Sequence, residues 1–218
     1  MSGHDFDLRL GSCLRADNGL LSLPTEAGTV ITDPVWPNRP DHFWPDIDAD
    51  ALFAEFCDHV SCLQPRRLVV IVGCDTDPRF LSPVPRSLPF VRTCWLRYAL
   101  PSYNGTVLNS GCVAYVFGDP KGPHGMTLLP GESTASRASF KAPDSHPCPR
   151  KDEHMDWLVR YFTEPGELVI DPFAGSATTG VAALKQGRRF VGWERDPKYH
   201  AFATKRLQAA REQLELCA

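Results

Sequence analysis

The stretch Glu167–Thr179, E-L-V-I-D-P-F-A-G-S-A-T-T, with its continuation to Glu194, decides the fold. Leu168, Val169 and Ile170 form a short apolar run of the kind a strand buried on both faces requires. The run ends in Asp171-Pro172, and Gly175 lies in a turn of small residues. Thr178–Gln186 is competent to form a helix and closes on Gly187, which suits a left-handed C-terminal position. A second apolar run, Arg189–Trp193, delivers Glu194 at its end. Strand, glycine turn, helix, strand, acid is the order of a unit that binds an adenosine-containing cofactor. Small turn residues let the ligand approach the backbone, and the acid accepts from the two ribose hydroxyls.

The same stretch narrows the cofactor. A phosphate loop would place Gly-Lys-Ser/Thr at the end of the turn, and this chain does not. The full G-x-G-x-x-G of dinucleotide sites is absent too, which disfavours a pyrophosphate. Asp171 at a strand end suits a cationic ligand better. Its other reading is structural, as a cap of the turn or helix.

A chain of 218 residues is long enough for one well-buried α/β domain, with little left for a second. Apolar side chains make up 43% and charged ones 22%, the proportions of a soluble globular protein. No run approaches the ~18 apolar residues needed to span a bilayer. The N-terminal M-S-G-H-D-F-D-L lacks the basic flank and apolar core of a secretory signal. A cytoplasmic protein with no membrane partner is expected. The 8 cysteines include no Cys-x-x-Cys pair, and His146, Cys148 and His154 match no zinc spacing, so free thiols and no metal are expected. The net charge of −3 is unevenly spread: residues 1–63 carry 3 basic and 11 acidic side chains, residues 64–151 carry 11 and 5. That basic middle segment is either a phosphate-facing surface or a solvated face.

Phe6–Leu10 alternates as a half-buried strand does, and Gly11-Ser12-Cys13 turns the chain after it. Val30–Thr32 is a brief β-branched strand, followed by the proline-, aspartate- and aromatic-rich loop Pro37–Asp50, long enough to be functional. Ala49–Leu63 has helical spacing, with Leu52, Phe53, Phe56 and Val60 as its stripe. Leu68–Val72 reads as a central parallel strand, and Val91–Leu96 with Cys112–Phe117 as an antiparallel pair joined through Pro101–Gly111. Asp119–Ser145 reads as an irregular insertion. Helices are expected over Lys151–Phe162 and from about Pro197 to Leu214.

The second informative site is Asp33-Pro34-Val35-Trp36, after the Val30–Thr32 strand. The Asp33 carboxylate and the Pro34 carbonyl can accept both hydrogens of an exocyclic amino group, and Trp36 can stack on its ring. Alone, the four residues read first as a plain turn, since Asp-Pro is a common turn initiator. A second Asp-Pro strand end beside a cofactor turn favours the site.

Together these residues resemble the amino-group DNA methyltransferases, the N6-adenine and N4-cytosine family that uses S-adenosylmethionine. Asp33-Pro34-Val35-Trp36 looks like the family's Asp-Pro-Pro-aromatic catalytic motif, and Asp171–Thr179 like its Asp-Pro-Phe-x-Gly-Ser-Gly-Thr-Thr cofactor motif. Phe190–Glu194, followed by Tyr199 and Arg206, is similar to the second cofactor strand and helix, and His146-Pro147 to the segment before the cofactor strand. The resemblance implies an α/β, class I S-adenosylmethionine-dependent methyltransferase (Rossmann-like) fold, as a single domain over residues 1–218. Its sheet would be mostly parallel and seven-stranded, with an antiparallel strand pair, in circularly permuted order because the catalytic motif comes first. Phe6–Leu10 would be its third strand, Val30–Thr32 its fourth and Leu68–Val72 its fifth, with the Val91 and Cys112 runs as the final pair.

For activity, the resemblance implies methyl transfer to the amino group of a base flipped out of double-stranded DNA. Asp33, Pro34 and Trp36 would be catalytic. Asp171, Phe173, Ala174, Gly175, Ser176, Thr178 and Glu194 would hold the S-adenosylmethionine, and Trp36, His42, Arg66, Arg67, Arg137 and Lys141 would contact the substrate. An aspartate rather than a serine at the head of the catalytic motif points to adenine N6 over cytosine N4. The chain departs from the pattern at Val35, where the family has a second proline, and at Ala177, where it has a glycine. Ala177 is tolerable if its backbone stays in the helical region. Arg150 stands about where many relatives have lysine, and Gly11-Ser12-Cys13 lacks an acid often found there. The short insertion at 120–145, at the target-recognition position, implies weak sequence selectivity, or a homodimer or separate specificity partner. The setting would be a bacterial or phage-infected cell, in restriction-modification or prophage DNA methylation.

Two other readings remain open. The amine could belong to RNA or to a small heterocycle, or the chain could be a non-catalytic nucleic-acid-binding module that kept a degenerate methyltransferase fold.

Overall fold

Apolar runs without polar interruption need partners on both faces of a sheet, and Leu68–Val72 obtains them. Val69 and Ile71 enter one core, while Leu68, Val70 and Val72 enter the other. The structure is a computed structural model that describes residues 6–25, 28–38, 44–104, 107–122, 131–136 and 149–216. Its strands are β1 (Phe6–Leu10), β2 (Thr29–Thr32), β3 (Arg67–Gly73), β4 (Phe90–Asn104), β5 (Val107–Gly118), β6 (Glu132–Ala135), β7 (Leu168–Asp171) and β8 (Arg189–Glu194). Its helices are α1 (Ala49–Leu63), α2 (Asp152–Phe162), α3 (Thr178–Lys185) and α4 (Pro197–Leu216).

These strands form one sheet in the order β1-β8-β7-β2-β3-β5-β4-β6. All neighbours are parallel except β5, which runs antiparallel to both β3 and β4. The expected permuted, mostly parallel order is therefore present, with one strand more than the seven expected. Side chains of α2, α3 and α4 fill the core on one face, and α1 with the short 3-10 turns Leu20–Ser22 and Pro78–Leu81 covers the other. Asp48 starts α1 by accepting from the Ala51 amide at 3.0 Å, and Gln64 ends it in the left-handed region. No helix among the described residues is long and apolar enough to cross a membrane.

Two differences from the sequence reading have physical causes. Glu132–Ala135 is a strand inside a segment expected to be irregular; it pairs in parallel with β4 through Trp95–Tyr98. Its alternation is real, Ser133 and Ala135 facing inward, but small side chains hide it from a hydrophobic pattern. Ser133 is buried against the Nδ1 of His154 at 3.1 Å. β4 and β5 also run on to Asn104 and from Val107, through most of the segment expected to connect them.

The expectation that Arg66 and Arg67 contact substrate is corrected by their position. They stand at the N-terminal end of β3, whereas the site described below lies beyond the C-terminal ends of the strands. The Arg67 side chain is fully buried and donates to the carbonyls of Asp119 (2.9 Å), Phe162 (2.7 Å) and Lys121. Arg66 pairs with Asp119, Glu164 and Glu167. They tie β3 to the chain segments after β5 and α2. His42, Arg137, Lys141 and His146-Pro147 lie outside the described residues.

Arg67→Ala should therefore cost roughly 3 kcal/mol, the scale for breaking a buried charged network, whereas Arg66→Ala at the rim should cost under about 1 kcal/mol. Urea unfolding of the two variants checks the contrast, and neither should change nucleic-acid affinity.

Candidate active site

β7 and β2 are neighbours whose onward connections leave in opposite directions, β7 through α3 to β8 and β2 through α1 to β3. Such a switch point opens a crevice beyond the C-terminal strand ends. A cavity of about 360 Å³ lies there, and residues of both sequence motifs line it. Asp33, Pro34 and Trp36 come to it from the end of β2, Asp171 to Ser176 from the end of β7, and Glu194 from the end of β8. The Gly11-Ser12-Cys13 turn after β1 completes that wall, its Gly11 amide donating to the Glu194 carbonyl at 2.9 Å.

At the β7 end the Asp171 carboxyl is buried, its Oδ1 accepting from the Phe173 amide and the Thr32 hydroxyl, both at 3.2 Å. Burial pushes this acid up to about 7 against hydrogen bonds from Thr179, Phe173 and Thr32, and the nearby charge of Asp33 pushes the same way. Gly175 takes a left-handed φ of +53° in the turn. Ala177 does the same at φ +54°, so the condition under which alanine would be tolerated there, a helical backbone, is not met. The Ala177 methyl carries the strain of that conformation. Arg206 of α4 holds the turn from behind, donating to the Ser176 carbonyl at 2.7 Å. Burial also raises the Glu194 carboxyl, while the Asp196 amide, 2.7 Å from its Oε1, pulls it back.

At the β2 end Arg150 grips Asp33 at two points, Nε to Oδ2 and Nη2 to Oδ1, the latter at 3.0 Å. Burial holds the Asp33 carboxyl above its ordinary range and Arg150 works against that shift. The guanidinium also lies over the Trp36 ring, 4.6 Å from its centroid, and the indole Nε1 donates to the Ile71 carbonyl at 3.1 Å. One face of Trp36 is thus covered by Arg150.

Every expected catalytic and cofactor residue lines the cavity: Asp33, Pro34 and Trp36, and Asp171, Phe173, Ala174, Gly175, Ser176, Thr178 and Glu194. Sequence reasoning missed Asn38, Trp44, Leu52, Asp75 and Met155, which line it as well. Leu52 had been placed on the helix stripe, which was the available signal; Trp44 and Asn38 belong to the loop marked as functional by its length. Asp75 carried no sequence signal.

The architecture and the paired strand ends define an α/β fold with a nucleotide-type cofactor crevice, and comparison with solved structures agrees. The chain superimposes on the cytosine-N4-specific PvuII DNA methyltransferase with a TM-score of 0.69 at 16% identity, covering 96% of this chain and 92% of that one. For the M1.HpyAVI–SAM complex the TM-score is 0.71 at 17% identity, with 93% and 99% covered. Residues 90–205 match the model of the N6/N4 DNA methylase family, and the chain belongs to that family. The matched range begins after Asp33–Trp36 and includes the whole cofactor unit. Among curated relatives, the type II methyltransferase M2.DpnII of Streptococcus pneumoniae is 39% identical over 67 residues, 31% of this chain and 25% of its own. The DNA adenine methyltransferase YhdJ of Escherichia coli K12 is 30% identical over 95 residues, 42% of this chain and 32% of its own. The matched stretches thus span a third or less of these relatives.

Two outcomes are expected at the cofactor turn. Ala177→Gly relieves about 1 kcal/mol of left-handed strain and forfeits about 0.8 kcal/mol of buried methyl, so its melting temperature should stay close to wild type. Ala177→Val, a β-branched residue in the same conformation, should lose more than about 2 kcal/mol. At Asp171 the folded protein keeps a proton up to about pH 7 that the unfolded chain releases near 3.8. The folded state is therefore penalised progressively as pH rises from about 4 through 7. Asp171→Asn removes the penalty, and should be more stable than wild type by up to about 4 kcal/mol at pH 8 and no more stable at pH 4, by chemical denaturation at each pH.

Proposed function

We propose that the chain transfers a methyl group from S-adenosylmethionine to the exocyclic amino group of a DNA base, adenine N6 before cytosine N4. The observation that carries this is the single cavity that joins an acid-proline-aromatic strand end to an acid-bearing cofactor turn. When bound, S-adenosylmethionine supplies a methyl group made electrophilic by its sulfonium. The residues present fit such a ligand. Glu194 is an acceptor for ribose hydroxyls, the Gly175 turn permits backbone approach, and the raised Asp171 carboxyl gains from a neighbouring ammonium.

An exocyclic amino nitrogen is a poor nucleophile because its lone pair is conjugated into the ring. Asp33 and the Pro34 carbonyl, accepting its two hydrogens, localise the lone pair and fix its direction. Asp33 also stands where it can take the proton that the nitrogen sheds. The work is positioning and fixed electrostatics. Stacking of the flipped base is left to the Trp36 and Trp44 rings, which both line the cavity.

Asp33 at the head of its motif favours adenine, and the relative YhdJ is named a DNA adenine methyltransferase. The partner is double-stranded DNA. Recognition falls to the segment 120–145 together with a second protomer or a specificity partner, because so short an insertion offers little surface for reading bases.

The test is incubation with labelled S-adenosylmethionine and mixed DNA and RNA, followed by nucleoside mass spectrometry. N6-methyladenine from DNA is expected. N4-methylcytosine would reassign the base, product from RNA alone would reassign the substrate, and cofactor binding without product would identify a non-catalytic module. In the active protein, Asp33→Ala should lose at least about 100-fold in turnover, the scale for removing a positioned acceptor. Its cofactor affinity should stay within about threefold; turnover like wild type would sink the mechanism.

A further inference from the structure

The proposed transfer assigns no task to Arg150, yet this side chain touches three parts of the site. Its guanidinium takes both oxygens of Asp33, covers a face of Trp36, and donates through Nη1 to the Cys112 sulfur at 3.2 Å. The Arg150 and Asp33 side chains are 15% and 21% exposed, withdrawn from bulk water but open to the cavity. Trp36 is fixed at its far edge by the Ile71 carbonyl, so the guanidinium closes a rigid frame between β2, β3 and β5.

A carboxylate has about four acceptor sites, and a bidentate guanidinium uses one on each oxygen. Asp33 therefore keeps acceptor capacity for an amino group while its plane is held. We propose that Arg150 is the positioning residue of the base site, holding Asp33 ionised and its carboxylate plane fixed so that a substrate amino group meets an acceptor. This rests on the reading of the cavity given above.

The electrostatic need for such a residue is visible around Asp33. Burial pushes its carboxyl up, Asp171 at the end of β7 is a second acid close enough to couple with it, and Asp75 after β3 lines the same cavity. Cys13 from the β1 turn and Cys112 from β5 are the thiols on that side. Arg150 is the cation that opposes these influences. Carboxylates crowded into one cavity do not all stay ionised without a cation, and a protonated Asp33 would offer a donor where the amine needs an acceptor. A lysine could supply the charge but not the two-point planar grip.

Arg150→Gln and Arg150→Lys in the full chain separate charge from geometry. Carbon-13 NMR titration of Asp33, which needs no turnover, and the pH profile of kcat are the readouts. In Arg150→Gln, Asp33 should titrate at least about one pH unit higher, the acid limb of kcat should move up with it, and kcat at pH 7 should fall about 30-fold. Cofactor Kd within about threefold of wild type shows that the variant is folded. Arg150→Lys should restore the titration and the acid limb but only part of kcat. An unmoved Asp33 titration with unchanged kcat in Arg150→Gln would overturn the assignment. So would a rise in kcat with a lower KM for DNA, which would make the guanidinium an obstacle in the base's seat. If Arg150→Gln fails to bind cofactor, full kcat in Arg150→Lys would overturn the two-point grip and partial kcat would support it. Wild-type protein that makes no product would overturn the methyl-transfer reading, while the Asp33 titration would still decide the role of Arg150.

Discussion

Two carboxyl groups withdrawn from water at the ends of neighbouring parallel strands set the terms for the rest of the molecule. Asp33 follows β2 and Asp171 closes β7, and the Thr32 hydroxyl bridges from one strand end to the other acid at 3.2 Å. Burial pushes both acids above the ordinary carboxylate range. The protein resolves this unequally. Asp33 has the Arg150 guanidinium, whereas Asp171 is held by neutral donors, the Phe173 amide and the Thr32 and Thr179 hydroxyls. One acid is thus stabilised as an acceptor, and the other is poised near neutrality.

Holding those acids in place is the work of the frame around them. α3 is buried along most of its length, from Thr178 to Leu184, and it packs closely because Gly180 has no side chain where Phe190 and Leu207 approach. A Cβ at Gly180 would stand 2.7 Å from the Phe190 ring and 2.8 Å from Leu207, both inside contact distance. Arg206 then ties α4 to the Ser176 carbonyl. The turn beneath the cofactor position is therefore fixed from strand, helix and neighbouring helix at once, and can tolerate the left-handed Ala177.

Most of this frame was legible in the sequence because it is written in periodicity. The α1 helix, the apolar β3 strand and the strand-turn-helix-strand of β7 to β8 each declare themselves by spacing, and the paired Asp-Pro ends mark the candidate site, both lining one cavity. The rest depends on what spacing cannot carry. Ser133 and Ala135 alternate correctly, but they are too small to register as a hydrophobic face. The basic middle of the chain suggested a substrate surface, yet charge counting cannot tell which end of a sheet an arginine occupies, and Arg66 and Arg67 fall at the wrong end. Arg150 and Asp33 lie 117 positions apart, so their grip exists only once the sheet is assembled. Ala177 misleads for a different reason: an alanine is tolerated most easily with a helical backbone, and here it is left-handed.

The charge balance of the cavity gives a physical ground for its choice of ligand, independent of motif resemblance. Among the described residues its lining holds four acids, Asp33, Asp75, Asp171 and Glu194, against two arginines, Arg150 and Arg195. Arg150 is already committed to Asp33. A phosphate entering such a space would meet more negative charge than positive, with little water to screen it. A ligand carrying cationic groups relieves the same field, and would draw Asp171 back towards its ionised form as it binds. The missing phosphate loop and the buried acid at the strand end are therefore two expressions of one electrostatic choice, and a sulfonium-bearing adenosine derivative satisfies both.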